Sequence, residues 1–239
     1  MANEERENVL LELFLARHGQ STGNVGISSG ANAAHGDDPF LTEKGLLQAR
    51  LLGAYYSRVR FDCVLASGLN RAAQTAGEVA RAQAGAARVE IHPLFTECGV
   101  AADYGFKSAA ELRALLPFAD PAAGVEETAN LVHAAGPEAD PVRFTRANAA
   151  LRYLLGRFHS GERVFVAGHG AFNTVFLFAA MGLTEAGAFD LASDNSCVSK
   201  LVFYRPGTGP YNADVHLICH NDRTHLAGYF DGELLSVLK

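Results

Sequence analysis

Short apolar runs alternate with stretches of helical spacing along most of the chain. Val9–Ala16 is apolar except for Glu12 and predicts a buried strand. A glycine- and asparagine-rich loop, Val25–Asp38, follows. Leu46, Ala49, Leu52, Gly53 and Tyr56 then recur at helical spacing, which predicts a helix opening at Leu41–Gly45 and running to about Arg58, with Thr42 as its cap. Phe61–Ala66 is a second buried strand. Ser67-Gly68 breaks it, and Asn70 is placed to cap a helix from Arg71 to about Ala84. Arg88–Leu94 reads as the third strand and Arg163–Ala167 as the fourth, followed by an apolar helix from Ala171 to Met181. Cys197–Tyr204 and Asp214–His220 read as two strands joined by the long loop 205–210.

Between Ala101 and Gly161 the spacing is mainly helical, clearest over Ser108–Leu116 and Asp140–Phe158, with a turn at Ala119–Gly124 marked by proline and glycine. Strands alternating with helices predict an α/β fold. The expected architecture is a three-layer α/β/α sandwich with a mostly parallel sheet and an antiparallel edge strand. No internal repeat or linker divides it, so residues 1–239 are expected to form one domain, with 101–161 a helical insertion carried on the sheet as a cap.

Hydrophobic residues make up 49% of the chain and charged residues 19%, an ordinary balance for a globular core. The net charge of −6 excludes a broad electrostatic grip on nucleic acid. The N-terminal residues are acidic and polar, unlike a signal peptide, and no apolar stretch reaches the roughly 20 residues a bilayer needs. These features predict a cytoplasmic protein with no membrane partner. Cys63, Cys98, Cys197 and Cys219 are scattered without paired spacing, which points to free thiols rather than a disulfide framework or a zinc site. His35, Asp37 and Asp38 lack ligand spacing and read as part of a solvated loop.

Two of the apolar runs end in histidines flanked by small or basic residues. Val9–Ala16 delivers Arg17-His18-Gly19, and the run Val164–Ala167 delivers Gly168-His169-Gly170. Ligands of α/β proteins collect at the carboxyl ends of strands. Two such ends predict one site assembled from distant segments. Imidazole can attack phosphorus or donate to phosphate, and the forked donors of arginine grip it.

Leu15-Ala16-Arg17-His18-Gly19-Gln20-Ser21 resembles the signature of the histidine phosphatase superfamily, whose best-known members are the cofactor-dependent phosphoglycerate mutases. Further matching pieces follow in the family's order. They are Asn24, the helix start Pro39–Gly45 with Gln48-Ala49, the arginine segment Ser67–Ala76, Gly168-His169-Gly170 and the segment Asn221–Leu226. The resemblance implies a phosphoglycerate mutase-like fold and makes His18 the nucleophile that carries the phosphoryl group. It implies that Arg17, Asn24, Arg71, His169 and Gly170 bind the substrate phosphate, with His169 also counted as catalytic. Glu97 is the implied proton donor to the leaving alcohol, and Asp103 is the substitute on the same loop. A backbone carbonyl near Gly19 or in the second histidine segment is expected to fix the tautomer of His18.

The expected activity is that of a metal-independent phosphoric monoester hydrolase of the histidine acid phosphatase type, acting on a small-molecule phosphate ester without a cofactor. Two rivals stand beside it: a cofactor-dependent phosphoglycerate mutase and a non-catalytic phospholigand-binding protein of the same fold. The chain lacks the Arg-His-Tyr-Gly run that follows the acid in true mutases, which argues against the first. An intact nucleophile argues against the second. Specificity is expected in Val25–Asp38 and 101–161, and the apolar C-terminal helix and hairpin leave a homodimer open.

Overall fold

A computed structural model describes residues 7–26, 38–85, 87–105, 107–187 and 189–227, together with the backbone of 229–230 and 233–234. Most of the loop 25–38 therefore lies outside the described residues. Inside the sheet, two strands from one edge, stands β1 (Val9–Arg17). Leu11, Leu13 and Leu15 enter one apolar layer while Phe14 and Ala16 enter the other, so the strand is covered on both faces.

The strands β2 (Cys63–Ala66), β3 (Val89–Ile91), β4 (Ala119–Pro121), β5 (Glu162–Gly168), β6 (Val198–Tyr204) and β7 (Val215–Asp222) complete a seven-stranded sheet of order β4-β3-β2-β5-β1-β6-β7. Pairing is parallel from β4 through to β1. The antiparallel edge is a hairpin: β6 runs antiparallel to β1, and β7 antiparallel to β6. A separate two-stranded ribbon joins 229–230 to 233–234.

Helices cover both faces, giving three layers. On one side lie α1 (Glu43–Tyr56), α2 (Asn70–Arg81) and α3 (Ala109–Leu115). On the other lie α4 (Asp140–Arg157) and α5 (Gly170–Ala180), whose Phe144, Leu154, Phe172 and Phe176 pack against the leucines of β1. Adjacent strands β1 and β5 thus send their following helices to opposite faces. That arrangement opens a crevice at their carboxyl ends, where ligands of doubly wound sheets bind. No helix of the described residues is long and apolar enough to cross a membrane.

Several expected boundaries move for local reasons. Thr42 caps α1, its Oγ1 accepting from Gly45 N at 3.0 Å. Asn70 is not the cap of α2 but its first residue, and Leu69 holds the cap position with no side-chain bond. β3 stops at Ile91 because the chain turns into a 3-10 segment, Pro93–Phe95, where proline brings no N–H for the ladder. The expected turn at 119–124 begins as edge strand β4, with Pro121 at its end. The stretch 101–161 is woven into the core: β4 joins the sheet, and α3 and α4 pack on opposite faces.

Candidate active site

The register of β1 against β5 brings the two histidine segments together. Arg17 lies opposite Gly168, and His18 N donates to Gly168 O at 3.0 Å. The rings of His18 and His169 sit 5.2 Å apart, inclined at 61°. The carbonyl of His18 accepts from Ser196 N at 3.0 Å and Asn195 Nδ2 at 3.3 Å, so its main chain is held from both sides.

His18 is buried, and its Nδ1 lies 2.6 Å from Gly19 O. A carbonyl can only accept, so Nδ1 carries the proton and Nε2 presents its lone pair. Arg71, in the first turn of α2, donates from Nε to that Nε2 at 3.1 Å. Burial, followed by the charge of Arg71, holds the His18 imidazole well below its ordinary value, so it is neutral near pH 7.

The loop after His18 is packed too tightly for side chains at two glycines. A Cβ on Gly45 would stand 1.9 Å from Gln20 O, and one on Gly19 would stand 2.5 Å from Gly45 O. Both contacts are with backbone, which cannot swing away. Gln48 Oε1 accepts from Gln20 N, and Thr75 Oγ1 accepts from Gly19 N while donating to Arg71 O. Thr75 thereby ties the loop after His18 to the helix that carries Arg71.

His169 caps α5 and is fully buried, yet neither ring nitrogen has a partner among the described residues. Burial, with Arg71 next, keeps it well below its ordinary value. Arg17 donates from Nη1 to Ser193 O, and its buried Nε is likewise unpartnered among the described residues. A Cβ at Gly170 would lie 3.4 Å from that Nε, so glycine there lets the guanidinium lie against the start of α5. Buried polar atoms are ordinarily satisfied. Unused donors of Arg17 and His169, gathered beside the lone pair of His18, form a place for an anion.

Glu97 follows the 3-10 turn and sits at the N-terminus of α5. Its Oε1 accepts from Phe172 N and Cys98 N, both at 2.9 Å, and Oε2 accepts from Ala171 N at 3.4 Å. It therefore braces the helix that begins beside His169, and its charge acts on Arg71. Asp103 is exposed. Asn24 is exposed, and its Oδ1 accepts from Ser21 N, Ser21 Oγ and Asn195 Nδ2, so it fastens the loop after His18. His35 and Asp37 lie outside the described residues.

Asp38 corrects the expectation of a solvated loop residue. It is 3% exposed and forms the hub of a polar cluster with Asn70, Tyr104 and Lys107 beside Arg71. Sequence reading missed this cluster and also the segment Ser193–Ser196, which holds both Arg17 and His18. The only local sign of the second is its run of small polar residues, Ser193-Asp194-Asn195-Ser196. Ser196 adopts φ 65° and meets His225 Nε2 at 2.9 Å through its hydroxyl.

The family model described as histidine phosphatase superfamily (branch 1) matches residues 13–210. An adenosylcobalamin/alpha-ribazole phosphatase of Salmonella typhimurium is 42% identical over 66 residues, a match covering 28% of this chain and only 31% of the relative. Among solved structures, a phosphoglycerate mutase from Bacillus anthracis is similar with a TM-score of 0.62 and 22% identity, over 93% of this chain and 98% of that one. A putative alpha-ribazole-5'-P phosphatase from Escherichia coli gives 0.59 and 22%, over 89% and 98%. At those identities the structures speak for the fold alone.

Proposed function

The chain belongs to the histidine phosphatase superfamily, branch 1, and from that membership and the geometry of the site we propose that it is a metal-independent phosphomonoesterase acting on a small phosphorylated metabolite through a phosphohistidine. The observation that carries this reading is the pairing of a neutral, tautomer-fixed His18 with the unpartnered donors of Arg17 and His169.

In the proposed reaction the substrate phosphoryl group displaces Arg71 Nε from His18 Nε2 and takes up the guanidinium donors of Arg71 and Arg17. His169 donates to a third oxygen. Phosphoryl transfer asks mainly for such positioning and charge stabilisation. Nε2 forms the P–N bond as the P–O ester bond breaks, and the leaving oxygen takes, through Glu97, the proton that the substrate's phosphate monoanion hands to that carboxylate. Of the two Glu97 oxygens Oε2 carries the weaker bond, 3.4 Å from Ala171 N, and is the one we assign to this proton. Water then attacks phosphorus and gives its proton to Glu97. The P–N bond breaks, returning neutral His18 and inorganic phosphate.

The relative that is 42% identical over 66 residues is named an adenosylcobalamin/alpha-ribazole phosphatase, and an alpha-ribazole phosphate is one substrate to test first. We further place the enzyme in the cytoplasm, in keeping with four free cysteines among the described residues. The test is release of inorganic phosphate, without added metal, from a panel of phosphomonoesters including 3-phosphoglycerate, with His18→Ala alongside. Release that depends on His18 supports the reading. Isomerisation of 3-phosphoglycerate without release would replace it with the mutase.

A further inference from the structure

The buried cluster around Asp38 lies behind the phosphate-binding groups and touches none of the reacting atoms. Asn70 N donates to both oxygens of Asp38, at 3.1 Å to Oδ1 and 3.3 Å to Oδ2, and beyond that shared donor the two face different groups. Oδ2 accepts from Tyr104 Oη at 2.6 Å and from Lys107 Nζ at 2.9 Å, both from the stretch 101–161. Oδ1 accepts from Asn70 N at 3.1 Å and lies 3.9 Å from Arg71 Nη1, both on α2. Lys107 Nζ closes the ring by donating to Asn70 Oδ1 at 2.5 Å, and Asn70 Nδ2 donates back to Asp38 O at 3.2 Å. The stretch is pressed against the turn before α2 as well, since a Cβ on Gly68 would stand 2.1 Å from Leu131 O.

Arg71 is thus addressed at both ends. Its Nη1 faces Asp38 and its Nε faces His18 Nε2. A guanidinium is a rigid fork, so the ion pair drawing on one edge biases where the other points. Lys107 and Arg71 are like charges close enough to act on each other, and Asp38 stands between them. Neutralising Asp38 would leave the buried ammonium to push the guanidinium off its line.

We infer that Asp38 is a positioning residue for Arg71: its Oδ1 orients the guanidinium towards the phosphoryl site while its Oδ2 links that orientation to Tyr104 and Lys107. The inference rests on the reading of Arg71 as a phosphate ligand, and it concerns binding rather than turnover.

The experiment measures the dissociation constant of inorganic phosphate by calorimetry, together with the melting temperature. It uses the full chain, Asp38→Asn, Asp38→Asn combined with Lys107→Met, and Asp38→Glu. Asp38→Asn strands a buried ammonium and should lower both stability and affinity. The double variant removes that ammonium and should regain the melting temperature, yet still bind phosphate about tenfold more weakly for want of one oriented charged contact. Asp38→Glu keeps a partner for Lys107 but moves the carboxylate, and it too should bind about tenfold more weakly. Affinity restored along with stability in the double variant, or wild-type affinity in a folded Asp38→Glu, would overturn the inference. A wild-type protein that binds phosphate but hydrolyses no ester would refute the phosphatase reading and leave this test intact.

Discussion

Arg71 Nε donates to His18 Nε2 at 3.1 Å, so a guanidinium lies against the lone pair of the imidazole. Burial first, and this contact second, keep the imidazole neutral, because a protonated Nε2 would face the guanidinium charge. In the proposed reaction the same pairing leaves His18 unreactive until the substrate's phosphoryl group displaces Arg71 Nε.

Removing that charge should be visible without any substrate. In Arg71→Gln the pH at which His18 takes up a proton should rise towards the ordinary histidine value, since Arg71 is the leading charge holding it down. Ring-nitrogen NMR of His18 reads this directly. An unchanged or lower titration point would deny the coupling.

Glu97 should matter in proportion to the basicity of the leaving group. Glu97→Gln should slow alkyl phosphates by about 10²–10⁴, the usual contribution of a general acid. p-Nitrophenyl phosphate, whose leaving group needs no proton, should lose far less. Equal losses on both would leave Glu97 only its role of bracing α5 through Phe172 N.

Gly45 should be intolerant of even one carbon. Its added Cβ would meet Gln20 O at 1.9 Å, a backbone atom in the loop that carries His18. Gly45→Ala should cost about 3 kcal/mol, roughly 6–12 °C in Tm. Thermal unfolding checks it, and a shift under 2–3 °C (on the order of 1 kcal/mol) would mean that the loop yields easily.

Acid should weaken the fold before any carboxylate titrates. Burial pushes His92 and His225 down to about 4, His92 with added repulsion from Arg157. The unfolded chain titrates near 6.5. Both rings are therefore neutral in the fold at a pH where the unfolded chain binds their protons. Their contribution is complete above about pH 6.5 and is lost as pH falls from there towards 4, by about 2 kcal/mol each at pH 5. His18 and His169 act in the same direction. Unfolding measured between about pH 7 and 5 should show stability falling, with about one proton fewer taken up in His225→Gln. A flat profile would contradict the burial of these rings.

Much of this was legible in the chain because it is local. Val9–Ala16 and Val164–Ala167 announce strands by their apolar runs, and the residues that follow each run are the ones the crevice receives. Thr42 signals the start of α1 by its own side chain. What was not legible depends on partners far apart in sequence. Asp38 looks like any loop aspartate until Lys107, 69 residues on, meets it. Asn70 has the chemistry of a cap, but its side chain is drawn to Asp38 O and Lys107 instead. Ser193 and Ser196 act through backbone atoms, a carbonyl towards Arg17 and an N–H towards His18, which side-chain identity does not encode. β4 was hidden because three residues ending in proline carry a turn signal, and only the neighbouring β3 makes them a strand.

The most direct test of a phosphohistidine at His18 is to mix the protein with p-nitrophenyl phosphate, quench it within the turnover time, and locate the phosphoryl group by peptide mass spectrometry under conditions that preserve phosphohistidine. The group is expected on the peptide containing His18, with neither label nor phosphate release in a folded His18→Ala. Undiminished phosphate release from His18→Ala, or a label carried by another residue, would contradict it.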